Sequence, residues 1–255
     1  MRWRILIFLI SGFFTVKSQP KFETRFSALR QVTLEGDVTL TFDEPENLDL
    51  KKPTKLIIFS LPNGNTTAQS FGKNLNLGDD WHFDIQHIGA QTTFIRHADP
   101  STNYVVVYLE NSLKSWPAWR RKYSDADKKI GEFVHHILDT YGKYKPKLIL
   151  TGHSGGGSFI FGFVNAFRKI PSSAERIGFL DATYGYETDK HLDKLKTWLD
   201  KKGTALQVIA YNDSVVIYNG KPLVSPTGGT WYRSKLMAND LAAEIKLRKV
   251  ELHDR

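Results

Sequence analysis

The chain has 255 residues, no cysteine and a formal net charge of +8. This length is sufficient for one substantial hydrophobic core, and no internal repeat or low-complexity tract indicates a second domain. The absence of cysteine excludes a disulfide framework and a thiolate metal site. Basic residues are scattered among acidic ones, which argues against a nucleic-acid footprint. We therefore expect one packed domain with no metal, no cofactor and no nucleic-acid partner.

The N-terminal residues have the pattern of an export signal. Arg2 and Arg4 precede an apolar run over residues 5–16, and Val16 and Ser18 stand at the two positions where cleavage requires small side chains. An apolar run of about a dozen residues is shorter than the ~20 that a membrane span needs. We predict a signal peptide over residues 1–18 and a mature domain over residues 19–255. The mature protein is expected to be secreted or periplasmic, without a stable membrane span.

The pattern along the rest of the chain predicts an α/β sheet. Residues 26–50 alternate apolar and polar side chains around Gly36 and Asp37, which predicts an antiparallel hairpin. From residue 55, short apolar runs typical of strands buried on both faces alternate with longer segments of helical periodicity, which predicts a doubly wound, mostly parallel sheet. The predicted strands cover residues 55–60, 104–109, 147–150, 176–180 and 206–211, and the predicted helices cover residues 81–97, 125–141, 158–168 and 189–201.

The C-terminal part departs from this alternation. Residues 215–225 contain Asn219 and Gly220 between two apolar runs, which is the signature of a tight hairpin. A last helix over residues 234–243 and a last strand over residues 245–252 complete the predicted order of elements.

The run Gly152-His153-Ser154-Gly155-Gly156 lies between a predicted strand and a predicted helix. A serine at such a turn has a strained backbone that exposes its hydroxyl, and the turn closes only if the residues two before and two after it lack side chains. Gly152 and Gly156 meet that requirement. The alternative is a phosphate-binding turn, but no lysine follows the last glycine and the glycine spacing is not that of a dinucleotide fingerprint. We therefore predict Ser154 to be a nucleophile.

Through this motif and the order of its strands, the mature sequence resembles the α/β-hydrolase superfamily of serine esterases and lipase-like enzymes. The resemblance implies an α/β fold with helices on both faces of a doubly wound sheet. It also implies a carboxylic ester hydrolase that uses a triad in the chain order serine, acid, histidine. The resemblance does not select a family within the superfamily.

The partners of Ser154 have to be sought downstream, because its hydroxyl needs an imidazole to take its proton and a carboxylate to orient that imidazole. Asp213 follows the strand predicted at 206–211 and is our first choice for the acid, while Asp181 at the end of the preceding strand is the alternative. His253 is the histidine that follows Asp213, directly after the last predicted strand. The base is either His253 or a histidine beyond Arg255.

The oxyanion of the reaction needs two preorganised donors. The resemblance places the first at the backbone N–H of Gly155, the residue after the nucleophile, and the second in the loop that follows the strand at 55–60. In that loop Pro62 has no N–H, so Leu61 or Asn63 is expected to donate, with the amide of Gly64 as a further possibility.

Two aromatic loops are predicted to wall the substrate site, because ligands of open α/β sheets bind outside the carboxyl ends of the strands. They contain Trp116, Trp119 and Arg120 in one loop and Trp231 in the other, a combination that suits a sugar or an acidic sugar. The alternative is that these tryptophans bury their loops against the domain. Three functions follow: an exported hydrolase of a small-molecule or glycan-linked ester, a peptidase or amidase with the same triad, or a binding protein without a competent base.

Overall fold

The structure is a computed structural model that describes residues 22–74, 77–78 and 86–247. The predicted signal peptide, His253, residues 81–85 of one predicted helix and residues 248–252 of the last predicted strand lie outside these residues. Within the described ranges, none of the helices combines the length and apolar character that crossing a bilayer requires.

A seven-stranded sheet with the order β1-β2-β4-β3-β5-β6-β7 forms the centre of the molecule. Its strands are β1 (Arg30–Leu34), β2 (Val38–Asp43), β3 (Thr54–Ser60), β4 (Asn103–Asn111), β5 (Lys147–His153), β6 (Ala174–Leu180) and β7 (Ala205–Ile209). Strands β3 to β7 run parallel, whereas β1 and β2 form an antiparallel hairpin at one edge and β2 pairs antiparallel with β4. The predicted doubly wound, mostly parallel sheet with an N-terminal hairpin is therefore confirmed.

Helices cover both faces of the sheet. They are α1 (Phe22–Ser27), α2 (Thr67–Phe71), α3 (Ile88–Ala98), α4 (Trp116–Lys122), α5 (Ala126–Thr140), α6 (Gly157–Ala166), α7 (Thr188–Leu199) and α8 (Thr230–Glu244). The larger hydrophobic cluster joins one face to α4 through α8, and the smaller cluster joins the other face to α1, α2 and α3. Alternation along each strand divides the side chains: Leu56 and Ile58 of β3 lie in the larger cluster, and Phe59 lies in the smaller one.

The predicted elements match the observed ones except at their ends, in three short helices and at the last predicted strand. Strand β5 continues to His153, three residues beyond its predicted end, and β7 stops two residues early at Ile209. The predicted hairpin near residue 220 is confirmed as β8 (Ile217–Tyr218) and β9 (Lys221–Pro222). Residues 245–247 of the predicted last strand are not in a strand. Helices α1, α2 and α4 have five to seven residues, too few for a helical period to stand out.

Candidate active site

The turn after β5 holds Ser154 in an unusual backbone conformation. Strand β5 ends at His153, a single 3₁₀ turn covers Ser154–Gly156, and α6 begins at Gly157. The φ angle of Ser154 is 50°. This is the left-handed region, which residues with a side chain rarely enter because Cβ crowds the backbone. The predicted strand-to-helix elbow is thus present, with its strained residue at Ser154.

The glycines of the elbow are needed because β3 lies directly against them. A Cβ atom on Gly156 would lie 2.3 Å from the carbonyl oxygen of Ser60, and one on Gly152 would lie 2.2 Å from the Ser60 hydroxyl oxygen. That hydroxyl donates a hydrogen bond to the Gly156 carbonyl at 2.9 Å. Neither position can therefore accept a side chain without moving β3, as the sequence motif predicts.

A cavity of about 810 Å³ opens at the carboxyl ends of the parallel strands and contains Ser154. Its walls come from the segments that follow β3, β4, β5, β6, β7 and β9. They consist of Asn63, Pro117, His153, Ser154, Gly155, Ser158, Asp181, Ala182, Tyr184, Gly185, Tyr211, Leu223 and Val224. This is the volume and position of a small-molecule site in an open α/β sheet.

Gly155 and Asn63, two of the predicted oxyanion donors, both line this cavity. Gly155 lies at the start of the helical segment, where backbone N–H groups have no acceptor within the helix. Asn63 lies so close to it that a Cβ on Gly155 would be 2.0 Å from the Asn63 side-chain oxygen. The neighbouring amide of Gly64 already donates to the carbonyl of Lys114 at 2.8 Å. Leu61 is buried in the smaller hydrophobic cluster and is not among the cavity residues, so Asn63 is the better placed of the two predicted loop donors.

Asp181 lines the same cavity as Ser154. Each of the two residues directly follows a strand end, and these strand ends, His153 of β5 and Leu180 of β6, are paired in the sheet. Asp181 also has a left-handed backbone, with φ of 49°, and its N–H donates to the carbonyl of Ile209 at 2.6 Å. Burial, together with the negative charge of nearby Asp213, raises the pKa of Asp181 to about 6. Its one backbone donor is the Tyr211 N–H at 3.4 Å.

Asp213 is fully buried and faces the beginning of α8. Its two carboxylate oxygens accept hydrogen bonds from the backbone N–H groups of Thr230 at 2.7 Å and Trp231 at 3.2 Å. These are the first two residues of α8, where free N–H groups and the helix dipole favour a negative charge. A Cβ atom on Gly229 would lie 2.5 Å from the Asp213 carboxylate, so a residue with a side chain at position 229 would clash with it.

His153 is the one histidine among the described residues that lines the cavity. Its Nδ1 atom lies 2.6 Å from the side-chain nitrogen of Gln86, and burial lowers its pKa. His191 of α7 is buried against Phe161 of α6, and this burial lowers its pKa to about 4. Its Nδ1 atom accepts a hydrogen bond from the backbone N–H of Glu187. The predicted base His253 lies outside the described residues, so its assignment stays a prediction.

Trp116 and Trp119, which were predicted to wall the substrate site, are not among the described residues that line the cavity. Both side chains are buried in the larger hydrophobic cluster, Trp116 against Phe159, and the Trp119 indole N–H donates to the carbonyl of Gly36 at 2.8 Å. The driving force is burial of two large aromatic surfaces, the alternative that the sequence left open.

The other two predicted substrate contacts are also displaced. Trp231 is absent from the described residues that line the cavity; its amide binds Asp213 and its ring lies 5.1 Å from the Lys235 ammonium. Arg120 lies instead in a neighbouring cavity, where it pairs with Asp127.

Most residues of the cavity wall were not predicted from the sequence. Tyr184 and Tyr211 each come shortly after the end of a parallel strand, which is a signal that could have identified them. Ser158 follows Ser154 by four residues, one helical turn, and this spacing also predicts proximity. Leu223 and Val224 come from the strand-poor segment after β9, and no pattern in the sequence indicates that it folds back over the cavity.

Comparisons with known proteins identify the fold. No family model and no curated protein matches the chain. Among solved structures, poly(aspartic acid) hydrolase-1 from Sphingomonas sp. KT-1 is similar with a TM-score of 0.51 and 14% identity over 84% of this chain and 85% of that one. LpqC, a poly(3-hydroxybutyrate) depolymerase from Bordetella parapertussis, is similar with a TM-score of 0.48 and 12% identity over 87% of this chain and 80% of that one.

A thermostable esterase is similar with a TM-score of 0.47 and 12% identity over 87% of this chain, which spans 63% of the length of that esterase. Identities this low carry information on the fold alone. The sheet order, the hairpin at its edge and the strained serine after β5 fit the α/β-hydrolase fold. The chain has the fold of the α/β-hydrolase superfamily.

Proposed function

We propose that the protein is a serine hydrolase that cleaves a carboxylic ester through an acyl-serine intermediate. The observation that carries the proposal is Ser154 itself, held with a left-handed backbone at the strand-to-helix turn and open to a cavity. Strain at a residue persists only where the surrounding structure enforces it, and it concentrates at functional sites. A glycine-rich turn without catalytic function would have no need of a serine in this conformation.

The proposed reaction has two steps. The Ser154 hydroxyl oxygen attacks the ester carbonyl carbon while its proton passes to an imidazole, and the backbone N–H groups of Gly155 and Asn63 stabilise the resulting oxyanion. When the carbon–oxygen bond breaks, the leaving alcohol takes the proton from the imidazolium. Water then attacks the acyl-serine with the imidazole again as base, which releases the carboxylic acid and restores the serine.

Asp213 is the proposed acid of the triad. Its carboxylate is fixed by two backbone N–H groups, and a carboxylate has lone pairs left to accept the N–H of an imidazole. The proposed base is His253 or a histidine beyond Arg255. His253 lies nine residues beyond the end of α8, and an extended chain of that length spans ~30 Å. Since α8 itself is ~22 Å long, that reach is enough to return to Asp213.

Glycan-linked esters lose their support as substrates, because two of the three predicted tryptophans are buried and the third does not line the described cavity. The walls are instead made of tyrosine, aliphatic and small polar side chains, with Asp181 as the acidic group. Such a site suits a small-molecule ester of moderate polarity.

The test is hydrolysis of 4-nitrophenyl acetate and butyrate by the wild-type protein and by Ser154→Ala. Wild type is expected to show turnover, and Ser154→Ala is expected to fall to the background rate. Ser172→Ala is the matched control, because Ser172 is exposed in a turn far along the chain from the elbow. A fluorophosphonate should label wild type at the peptide that contains Ser154, as located by mass spectrometry. Equal rates in wild type and Ser154→Ala would overturn the serine mechanism.

Two alternatives are separated by the same samples. Faster cleavage of 4-nitroanilides than of the corresponding esters would indicate a peptidase or amidase. Substrate binding without turnover or labelling would indicate a binding protein.

Export is a separate part of the proposal and is supported by the residue pattern of the N-terminal segment. Expression of the full chain in a bacterial host should yield, in the periplasm or medium, a protein whose N-terminal residue determined by mass spectrometry is at or near Gln19. Retention of Met1 in the exported protein would contradict this.

A further inference from the structure

A second cavity of about 540 Å³ adjoins the one that contains Ser154. The two share Pro117 and Ser158 in their walls, so they lie side by side, and together they are called the cleft below. Ser158 follows Ser154 by one turn at the start of α6, which places the junction about 6 Å along the helix from the proposed nucleophile. A substrate whose ester group lies at Ser154 therefore needs a chain of only a few bonds beyond that group to reach the second cavity.

The two parts of the cleft differ in charge. The described walls of the Ser154 cavity contain one carboxylate, Asp181, and no lysine or arginine. The second cavity is lined by Arg120, Arg121 and Lys128 together with two aspartates. The cleft therefore runs from an acidic end to a basic end.

Pairing within the second cavity leaves one cation available. Arg120 contacts Asp127 at 2.6 Å and donates to the Ser158 hydroxyl at 3.2 Å, so it is fixed in the wall between the two cavities. The Lys128 ammonium pairs with Glu132 at 3.4 Å, and the Asp125 carboxylate lies 3.6 Å from the Lys129 ammonium. Arg121 makes no hydrogen bond or ion pair with any residue in the described part of the chain. A planar guanidinium without a partner is the group that most readily binds a carboxylate through two parallel hydrogen bonds.

We propose that the substrate is an ester that also carries a carboxylate, with its ester group at Ser154 and its carboxylate bound by Arg121 in the second cavity. This inference rests on the proposed esterase function and names the substrate class of the same cleft. An anionic group placed at the other end would meet Asp181, so the charge distribution also fixes the direction in which the substrate lies. The carboxylate belongs to either the acyl part or the alcohol part of the ester.

The test compares substrates that differ in this one charge. For the acyl side, the pair is the mono-4-nitrophenyl ester of suberic acid and the same ester with its free carboxylate capped as a primary amide. For the alcohol side, the pair is 4-acetoxybenzoate and 4-acetoxybenzamide. In one of the two pairs, wild type is expected to have a KM about threefold to fivefold lower for the carboxylate than for the amide, as for one partly exposed ion pair. The preference should shrink as salt is added.

Arg121→Gln should bring that ratio close to one by raising KM for the carboxylate substrate, with kcat and the amide substrate unaffected. Lys122→Gln is the matched control, because Lys122 is the next cation of α4, lies against the Tyr123 ring and is not part of the cavity wall. Arg121→Glu should invert the preference. Equal KM values within both pairs in wild type, or a preference that Arg121→Gln leaves intact, would overturn the proposal.

Failure of the underlying esterase function gives a different result. In that case neither member of a pair is hydrolysed above the rate of Ser154→Ala. Binding of suberate and of suberamide to Ser154→Ala, measured by calorimetry, still reports on the second cavity without turnover. Suberate is expected to bind more tightly, and Arg121→Gln is expected to remove the difference; equal binding of both would count against the inference.

Discussion

Asp181 and Asp213 follow the carboxyl ends of the neighbouring strands β6 and β7, yet the two side chains differ in their hydrogen-bond donors and in their access to the cavity. Asp213 is completely buried, and its two oxygens receive the first two N–H groups of α8. Asp181 borders the cavity, receives one long hydrogen bond from Tyr211, and has its pKa raised to about 6 by burial and by Asp213. Both carboxyl groups are buried, so what distinguishes them is the number of hydrogen-bond donors that contact each one.

This difference suggests a division of roles. A carboxylate that must orient an imidazole has to be fixed in position, and the two N–H groups at the start of α8 hold Asp213 in this way. Asp181 lies next to Ser154, where a second negative charge would oppose the oxyanion. We therefore propose Asp213 as the acid, whereas Asp181 lines the cavity that contains Ser154.

The largest expected difference between Asp213 and Asp181 is in the turnover of their asparagine variants. Asp213→Asn should lower kcat for a 4-nitrophenyl ester by about 10³- to 10⁴-fold, because the amide no longer orients the imidazole correctly. Asp181→Asn should change kcat by less than about tenfold, as expected when a charge is removed near the site without loss of the triad. Steady-state kinetics at neutral pH measure both values.

Circular dichroism and thermal unfolding of each variant serve as the control, since a loss of folded protein would imitate a loss of turnover. The reverse ranking, with Asp181→Asn much the slower enzyme, would exchange the roles of the two residues.

The second effect concerns stability. Asp213→Ala leaves two buried N–H groups of α8 without an acceptor and should lower the free energy of unfolding by about 2–4 kcal/mol. Asp181→Ala removes a desolvated carboxyl whose backbone donor, the Tyr211 N–H, is at a long 3.4 Å, so it should lower the free energy of unfolding far less. Urea denaturation of the two variants and wild type measures the difference. Similar losses in both would show that the N–H groups of α8 are not what distinguishes the two sites.

The sequence predicted the elements on which this comparison stands because each depends on local information. Continuous apolar runs identified the strands that Asp181 and Asp213 follow, and glycines at fixed distances from Ser154 identified the elbow. These signals arise from the requirement to bury both faces of a strand and to bring β3 close to Gly152 and Gly156.

What the sequence could not provide was which way large side chains turn. Trp116 and Trp119 belong to a short helix that begins at the Ser115 cap. Its seven residues are too few for the sequence to show which face of the helix packs against the core. Their burial depends on Phe159 and Gly36, which are distant in sequence. For the same reason the donors around Asp213, contributed by residues 17 and 18 positions away, follow from the fold and not from any local pattern.

The third effect is a pH dependence of stability that comes from Asp181. Its pKa in the folded protein, about 6, is above its ordinary value of 3.8, so the folded state holds this proton more tightly than the unfolded state. The resulting stabilisation is fully present below about pH 4 and is lost as the pH rises through about 6. As the pH rises between these limits, the free energy of unfolding of Asp181→Asn should therefore increase by about 1–2 kcal/mol relative to that of wild type. Urea denaturation at about pH 4 and about pH 8 tests this; a constant difference between the two proteins would contradict it.

The smallest effect concerns the feature that Asp181 shares with Ser154, a left-handed backbone. With the carboxyl absent from both variants, Asp181→Gly should be more stable than Asp181→Ala by about 0.5–1 kcal/mol, because glycine adopts φ near 49° without a Cβ clash. Ser154→Gly and Ser154→Ala should differ in the same direction. Glu132 in the middle of α5 is the matched control, where the helical backbone should reverse the sign and make alanine the more stable by about 1 kcal/mol. If alanine were the more stable residue at all three positions, the strain at the ends of β5 and β6 would be too small to matter, and the exposed hydroxyl of Ser154 would have to be explained by packing alone.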